Sequence, residues 1–146
     1  MFTDIVVGTD GSDTANLAVR LAADLARTHD AVLHLVHAYK VPAGGVAVVG
    51  AGAMAVADPA LSSAALKEVS DKVLSDGASR LEGIKVETHS VVGSPADVLV
   101  SVAEGTGADL IVVGSKGMRG ARRMIGSIPN SVAHRAPCHV LVAKTA

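Results

Sequence analysis

The sequence predicts a doubly wound α/β domain. A five-stranded parallel sheet with strand order 3-2-1-4-5 carries helices on both faces. Three observations lead there. Short apolar runs alternate with helical patterns along the chain, as repeated β-α-β units require. Two runs, DIVVG at 4–8 and DLIVVG at 109–114, are continuously apolar behind a leading aspartate and end in glycine. Strands buried on both faces of a parallel sheet read that way. The length of 146 residues suits one domain, 1–146, large enough to bury about 68–70% of its unfolded surface.

The elements follow in order. After the first strand comes the turn TDGSDT, with Ser12 placed to cap a helix. Leu17, Leu21 and Leu25 recur every four residues in that helix, with Ala18, Ala22 and Ala26 beside them. AVLHLVHAY at 31–39 reads as the second strand. Leu66, Val69, Val73 and Leu81 give residues 61–81 a helical stripe, and IKVETHSVV at 84–92 alternates as a third strand. Ser94-Pro95 is a helix start, with serine as cap and proline at the first helical position. Val98, Leu99, Val102 and Ala103 supply that helix's stripe. The fourth strand is 109–114, a last helix runs from about 127 to 135, and HVLVAK closes the chain as a fifth strand.

The two most apolar strands, the first and the fourth, are expected centrally and side by side. The chain reverses its direction of travel between them, and ligands of open α/β sheets bind at such a point, outside the carboxyl ends of the strands. The glycine-rich turns GTDGSDT and GSKGMRG follow those same two strands. The uncharged, Gly- and Ala-rich segment at about 42–59 is the odd piece. It reads as a mobile surface loop or as a lid over the switch-point crevice.

Composition excludes several classes. One Phe, one Tyr and no Trp leave an aliphatic core, and a formal charge of −1 argues against nucleic-acid binding. The lone Cys138 excludes a disulfide framework and a cysteine-cluster metal site. It suits a small buried hydrophobe in a reducing, cytoplasmic setting. MFTDIVVGTDGS places an acid at position 4 and does not read as a signal peptide. The uncharged stretch 41–57 holds four glycines and a proline. It falls short of the roughly 20 apolar residues of a membrane span.

The stretch GSKGMRGARRMIGS, 114–127, carries the strongest functional signal. Gly114, Gly117, Gly120 and Gly126 let the backbone turn tightly and approach a ligand. Gly126-Ser127 then opens a helix whose free N–H groups favour an anion. Lys116, Arg119, Arg122 and Arg123 add positive charge. Together they describe a phosphate cradle, although neither the P-loop nor the GxGxxG dinucleotide fingerprint is present.

On these residues the chain resembles a single-domain universal stress protein of the nucleotide-binding type. The resemblance covers IVVGTDGS, DLIVVGSKG, GSIPNSVAHRAPCHVLV and the total length. The family's nucleotide motif is Gly-x2-Gly-x9-Gly-Ser/Thr. Gly114 to Gly117 match its start and Gly126-Ser127 its end, with a spacer, MRGARRMI, one residue shorter. The resemblance implies an adenine-nucleotide (ATP) site, often with Mg2+. It implies Gly8, Thr9 and Asp10 near ribose and adenine, and Ala38 against the adenine. Val113, Gly114, Lys116 and Gly117 would lie around ribose and phosphates, and Gly126, Ser127 and Ile128 at the phosphate-binding helix start. The function implied is stress response by binding. Alternatives are a slow ATPase, a cyclic AMP binder and an interaction protein with an empty loop.

No catalytic set and no metal site is expected. His34 and His37 lie three apart on one strand and face opposite sides, and no nucleophile-elbow motif appears. The fifth strand, at about 138–144, is an apolar edge without polar residues in its middle, a liability that proteins cover. It is expected to pair with its copy in a homodimer, as the resemblance also implies.

Overall fold

The computed structural model describes residues 1–41, 46–49, 53–56, 59–115 and 127–145, with backbone course alone between 46 and 62. The element order is β1 (Asp4–Gly8), α1 (Asp13–His29), β2 (Val32–Tyr39), β3 (Val46–Val49), β4 (Ala53–Val56), α2 (Pro59–Ala78), β5 (Lys85–Val92), α3 (Pro95–Thr106), β6 (Leu110–Gly114), α4 (Ile128–Arg135) and β7 (His139–Ala143). The main sheet runs β5-β2-β1-β6-β7, all parallel. Counted without the hairpin, that is the expected order 3-2-1-4-5. The segment read as a loop contains a two-stranded antiparallel hairpin, β3 with β4.

Each face of the sheet carries its own core. Alternate residues of a strand point to opposite faces. Ile5, Val7, Leu33 and Leu35 pack with the alanines of α1 and with Leu74 of α2. Val6, Val36, Ile111 and Val113 pack with Val98, Leu99 and Val102 of α3 and Val132 of α4. The central strands β1 and β6 are therefore covered on both sides, which is why their sequence is continuously apolar.

Helix α1 begins where Ser12 accepts a hydrogen bond from the Ala15 N–H at 3.2 Å, and it ends at Asp30 in the left-handed conformation (φ 55°). The alanines of the expected stripe are buried and Leu25 packs against the core, but two of its leucines are not buried. Ala18, Val19, Ala22, Ala23 and Ala26 face the sheet, whereas Leu17 and Leu21 are 47% and 37% exposed. The strands already supply bulk through Ile5, Leu33 and Leu35. Interiors hold near-crystalline density, so the helix opposite them must be thin there.

The stripe expected on α2 is also rotated. Val69 is 44% exposed, while Ser70 and Leu74 face inward at 0% and 2%. Ser70 accepts a hydrogen bond from the Ser90 hydroxyl at 2.6 Å and meets His37 Nδ1 at 2.7 Å. A buried hydroxyl satisfied in this way is stable inside, and an apolar template cannot see it. Leu81 lies beyond the helix end and packs against the first core.

Replacing Ala22 with leucine should overpack the α1–sheet contact and cost about 1–3 kcal/mol. Leu17→Ala should stay within about 0.5 kcal/mol, as for a surface substitution. Urea midpoints of the two variants check this. A larger loss for Leu17→Ala than for Ala22→Leu would mean that the leucine stripe is the packed face.

Candidate functional site

The helices α1 and α4, which follow β1 and β6 in the chain, lie on opposite faces of the sheet, and a cavity of about 210 Å³ opens above the carboxyl ends of the two strands. Each wall has a local cause. The β1 turn is held first by the Thr9 N–H, which donates to Val36 O at 2.8 Å. The Thr9 hydroxyl accepts from Gly11 N at 3.1 Å, and Asp10 Oδ1 accepts from Ser12 N at 2.9 Å. Gly11 takes φ +80°, a conformation that a side chain would strain. The turn therefore presents Thr9 and Asp10 to the cavity in a fixed pose before Ser12 starts α1.

On the β6 side, Ser115 N donates to Ala143 O at 2.8 Å, and Thr145 N donates to Ser115 Oγ at 2.9 Å. This draws the chain beyond β7 across the end of β6. A Cβ on Gly114 would meet Thr145 Oγ1 at 3.0 Å, so glycine is what lets Thr145 lie there. Helix α4 starts behind Ser127, whose hydroxyl accepts from Asn130 N at 3.4 Å, with proline in its first turn. Arg135 of α4 is tied to Asp97 of α3 at 2.6 Å, joining the two helices of this face. Ser94 occupies the cap position of α3, but its hydroxyl goes to the Asp97 carboxylate and not to a backbone N–H.

Of the residues singled out in the sequence, Gly8, Thr9, Asp10, Ala38, Val113, Gly114 and Ile128 all line this cavity. Ser127 adjoins it as the α4 cap and is 7% exposed. Lys116, Gly117 and Gly126 lie outside the described residues, as do Arg119, Gly120, Arg122 and Arg123.

A family model described as the universal stress protein family matches residues 1–144. The chain belongs to the universal stress protein family. It is 36% identical to universal stress protein Rv1636 of Mycobacterium tuberculosis, over 99% of this chain and 97% of that one. A solved universal stress protein in complex with cAMP matches with a TM-score of 0.74 at 32% identity, covering 99% of this chain and 98% of that one. The universal stress protein from Archaeoglobus fulgidus in complex with dAMP matches with a TM-score of 0.64 at 28% identity, covering 97% and 98%. The resemblance seen in the glycine turns thus extends along essentially the whole chain.

This universal stress protein adds cavity residues that the sequence reading missed. His37, Leu99 and Thr145 also line the space. His37 precedes Ala38 at the end of β2, and its position there was the available signal. His37 Nδ1 lies 2.7 Å from the Ser70 hydroxyl, which in turn lies 2.6 Å from that of Ser90, so the ring is anchored to α2 through buried hydroxyls. Burial lowers the pKa of His37 against an opposing pull from Asp10, so the ring stays neutral. Cys138 is half-buried against the α3–α4 core, and burial raises its thiol pKa, which keeps it an unreactive thiol.

His37 and His89 both carry lowered pKa values; for His89 burial leads, followed by His34 across the strand. Each takes up a proton more readily in the unfolded chain, whose value is 6.5. What these two rings contribute to stability is therefore fully present above pH 6.5 and is lost as pH drops from there through the folded values. Denaturant midpoints between about pH 7.5 and about pH 5 should show this slope, and His37→Asn should reduce it. An unchanged slope in His37→Asn would show that this ring is not held neutral by the fold.

Proposed function

We propose that this universal stress protein binds an adenine nucleotide, ATP in the first place, above the carboxyl ends of β1 and β6, and acts by binding. The observation that supports this most is that the GTDGSDT turn after β1 and the end of β6, Val113 and Gly114, line one cavity with mixed walls. Ala38, Val36 and Leu99 offer apolar surface suited to a flat base. Asp10 offers a carboxylate to which ribose hydroxyls can donate. The glycines and cations of 116–126 and the N-terminus of α4 supply what phosphates need. A Mg2+ ion belongs to the same reading, bound mainly through phosphate oxygens and water. Cyclic AMP is the second reading, favoured by the ligand of one structural neighbour.

Efficient phosphoryl transfer also needs a group that orients the nucleophile. Among the described residues at the cavity we identify none, so the reading is of a binder. ATP turnover is expected far below the roughly 1–100 s⁻¹ of kinases.

Calorimetry with ATP, cyclic AMP and adenosine tests the site. Asp10→Asn keeps an acceptor for Ser12 N, so the turn persists, but it removes the charge. It should weaken all three ligands. Gly117→Val should weaken ATP tenfold or more, equivalent to about 1.4 kcal/mol. Arg122→Ala and Arg123→Ala should weaken ATP more than adenosine. If Asp10→Asn and Gly117→Val bind all three like the wild type, with unchanged circular dichroism, the reading is wrong.

The homodimer belongs to this reading too. β7 is an edge of the sheet, with Val142 39% exposed near its carboxyl end. The opposite edge, β5, exposes Lys85, Glu87 and Thr88, which resist edge pairing. Pairing of β7 with its copy covers the apolar edge. Light scattering should give a dimer at micromolar concentration that is lost in Leu141→Pro. A stable monomer, or a dimer indifferent to that change in a folded chain, contradicts it.

A further inference from the structure

Away from the nucleotide cavity, β1, β2 and β5 bring four side chains together on the sheet face that carries α3. Asp4, His34, Glu87 and His89 share this face by strand alternation and register, with His34 opposite Glu87 and Val36 opposite His89. His34 is buried at 3% exposure. Its Nε2 lies 3.0 Å from Asp4 Oδ1. Its Nδ1 lies 2.9 Å from His89 Nε2 and 3.5 Å from Glu87 Oε2. One ligand atom from each of His34, Glu87 and His89 falls within 4.8 Å of the others.

The chemistry of this group is directional. An ionised carboxylate only accepts, so Asp4 draws a His34 hydrogen to Nε2, and the form that can take a metal ion has its lone pair on Nδ1. The Nδ1 lone pair then points at the gap between His89 and Glu87. Three electron-pair donors converge where a single proton or a cation must sit between them. Ligands about 2.0–2.1 Å from a tetrahedral metal stand roughly 3.3–3.4 Å apart, and the 2.9 and 3.5 Å separations bracket that spacing. A carboxylate behind a metal-binding histidine is the usual outer support, because it sets both tautomer and ring orientation. Two imidazoles with one carboxylate suit a borderline transition metal better than Mg2+ or Ca2+, which prefer oxygen.

We propose that His34, His89 and Glu87 bind a divalent transition metal, with zinc as the probe, and that Asp4 positions His34. The fourth coordination position is left to water. Glu87 and His89 stand on the edge strand β5, so the ion has an open approach from solvent. The metal ties this edge strand to β2 inside the sheet.

The test uses the full chain, stripped with chelator and then titrated with ZnCl2 by calorimetry and by equilibrium dialysis. One zinc per chain is expected, while MgCl2 in its place gives no binding at this site. His89→Ala and Glu87→Gln should each weaken zinc at least tenfold. Both positions are on the half-open edge, so the fold should persist, which circular dichroism checks. Asp4→Asn should weaken zinc by about 10–100-fold while leaving all three ligands in place. The double variant His134→Ala, His139→Ala removes exposed histidines elsewhere and should bind like the wild type. Cobalt in place of zinc should give visible absorption that disappears in His89→Ala. Failure of the wild-type chain to retain zinc overturns the proposal. So does equal zinc affinity in the wild type, His89→Ala and Glu87→Gln, which would mean that the cluster is a hydrogen-bonded histidine pair alone.

Discussion

Two strands that must be buried on both faces lie side by side, and the helices that follow them, α1 and α4, pack on opposite faces. Ile5, Val6 and Val7 of β1 and Ile111 and Val112 of β6 are all 0% exposed. Burying each such side chain contributes about 1.5–3 kcal/mol. They can be buried on both faces only if helices cover both, so α1 after β1 and α4 after β6 lie on opposite faces. The crevice at those strand ends is a consequence of this pairing. The cavity, the Asp10 turn and the start of α4 take their places from it.

Much of the fold was legible for the same reason. A strand covered on both sides leaves a continuous apolar run, and DIVVG and LIVVG are such runs. Which helix faces would pack was less legible. Hydrophobic periodicity weighs Leu17 and Leu21 above Ala18 and Ala22, yet packing against Ile5, Leu33 and Leu35 selects the smaller side chains. Ser70 escaped for a related reason: a hydroxyl is counted as polar until its partners, His37 and Ser90, are known. The β3–β4 hairpin lacks the polar alternation that marks a half-buried strand, so 46–56 read as a loop.

In the site, the cavity positions of Gly8, Thr9, Asp10 and Gly114 were readable because glycine and short polar residues mark a tight turn at a strand end, whereas 116–126 lie outside the described residues. Thr145 and Leu99 were not, since they reach the cavity from elements distant in sequence. Thr145 arrives through the β6–β7 register, in which Gly114 stands opposite Ala143. His34 and His37 show both sides of this limit. Their spacing correctly put them on opposite faces of β2, and they do not meet. The partners they do find, Ser70 on one face and His89 on the other, come from α2 and β5. The Glu87-x-His89 spacing on an edge strand was the available hint, and only the register with β2 turns it into a cluster with His34.

The central claim is that one crevice, formed by the divergence after β1 and β6, holds the nucleotide. Amide chemical-shift mapping during an ATP titration tests it most directly. The account predicts shifts concentrated at Gly8 to Ala15, His37 and Ala38, Val113 to Ser115, and Ser127 with Ile128, with little change along β5. No shift at millimolar ATP, or shifts confined to surfaces away from these turns, would contradict it.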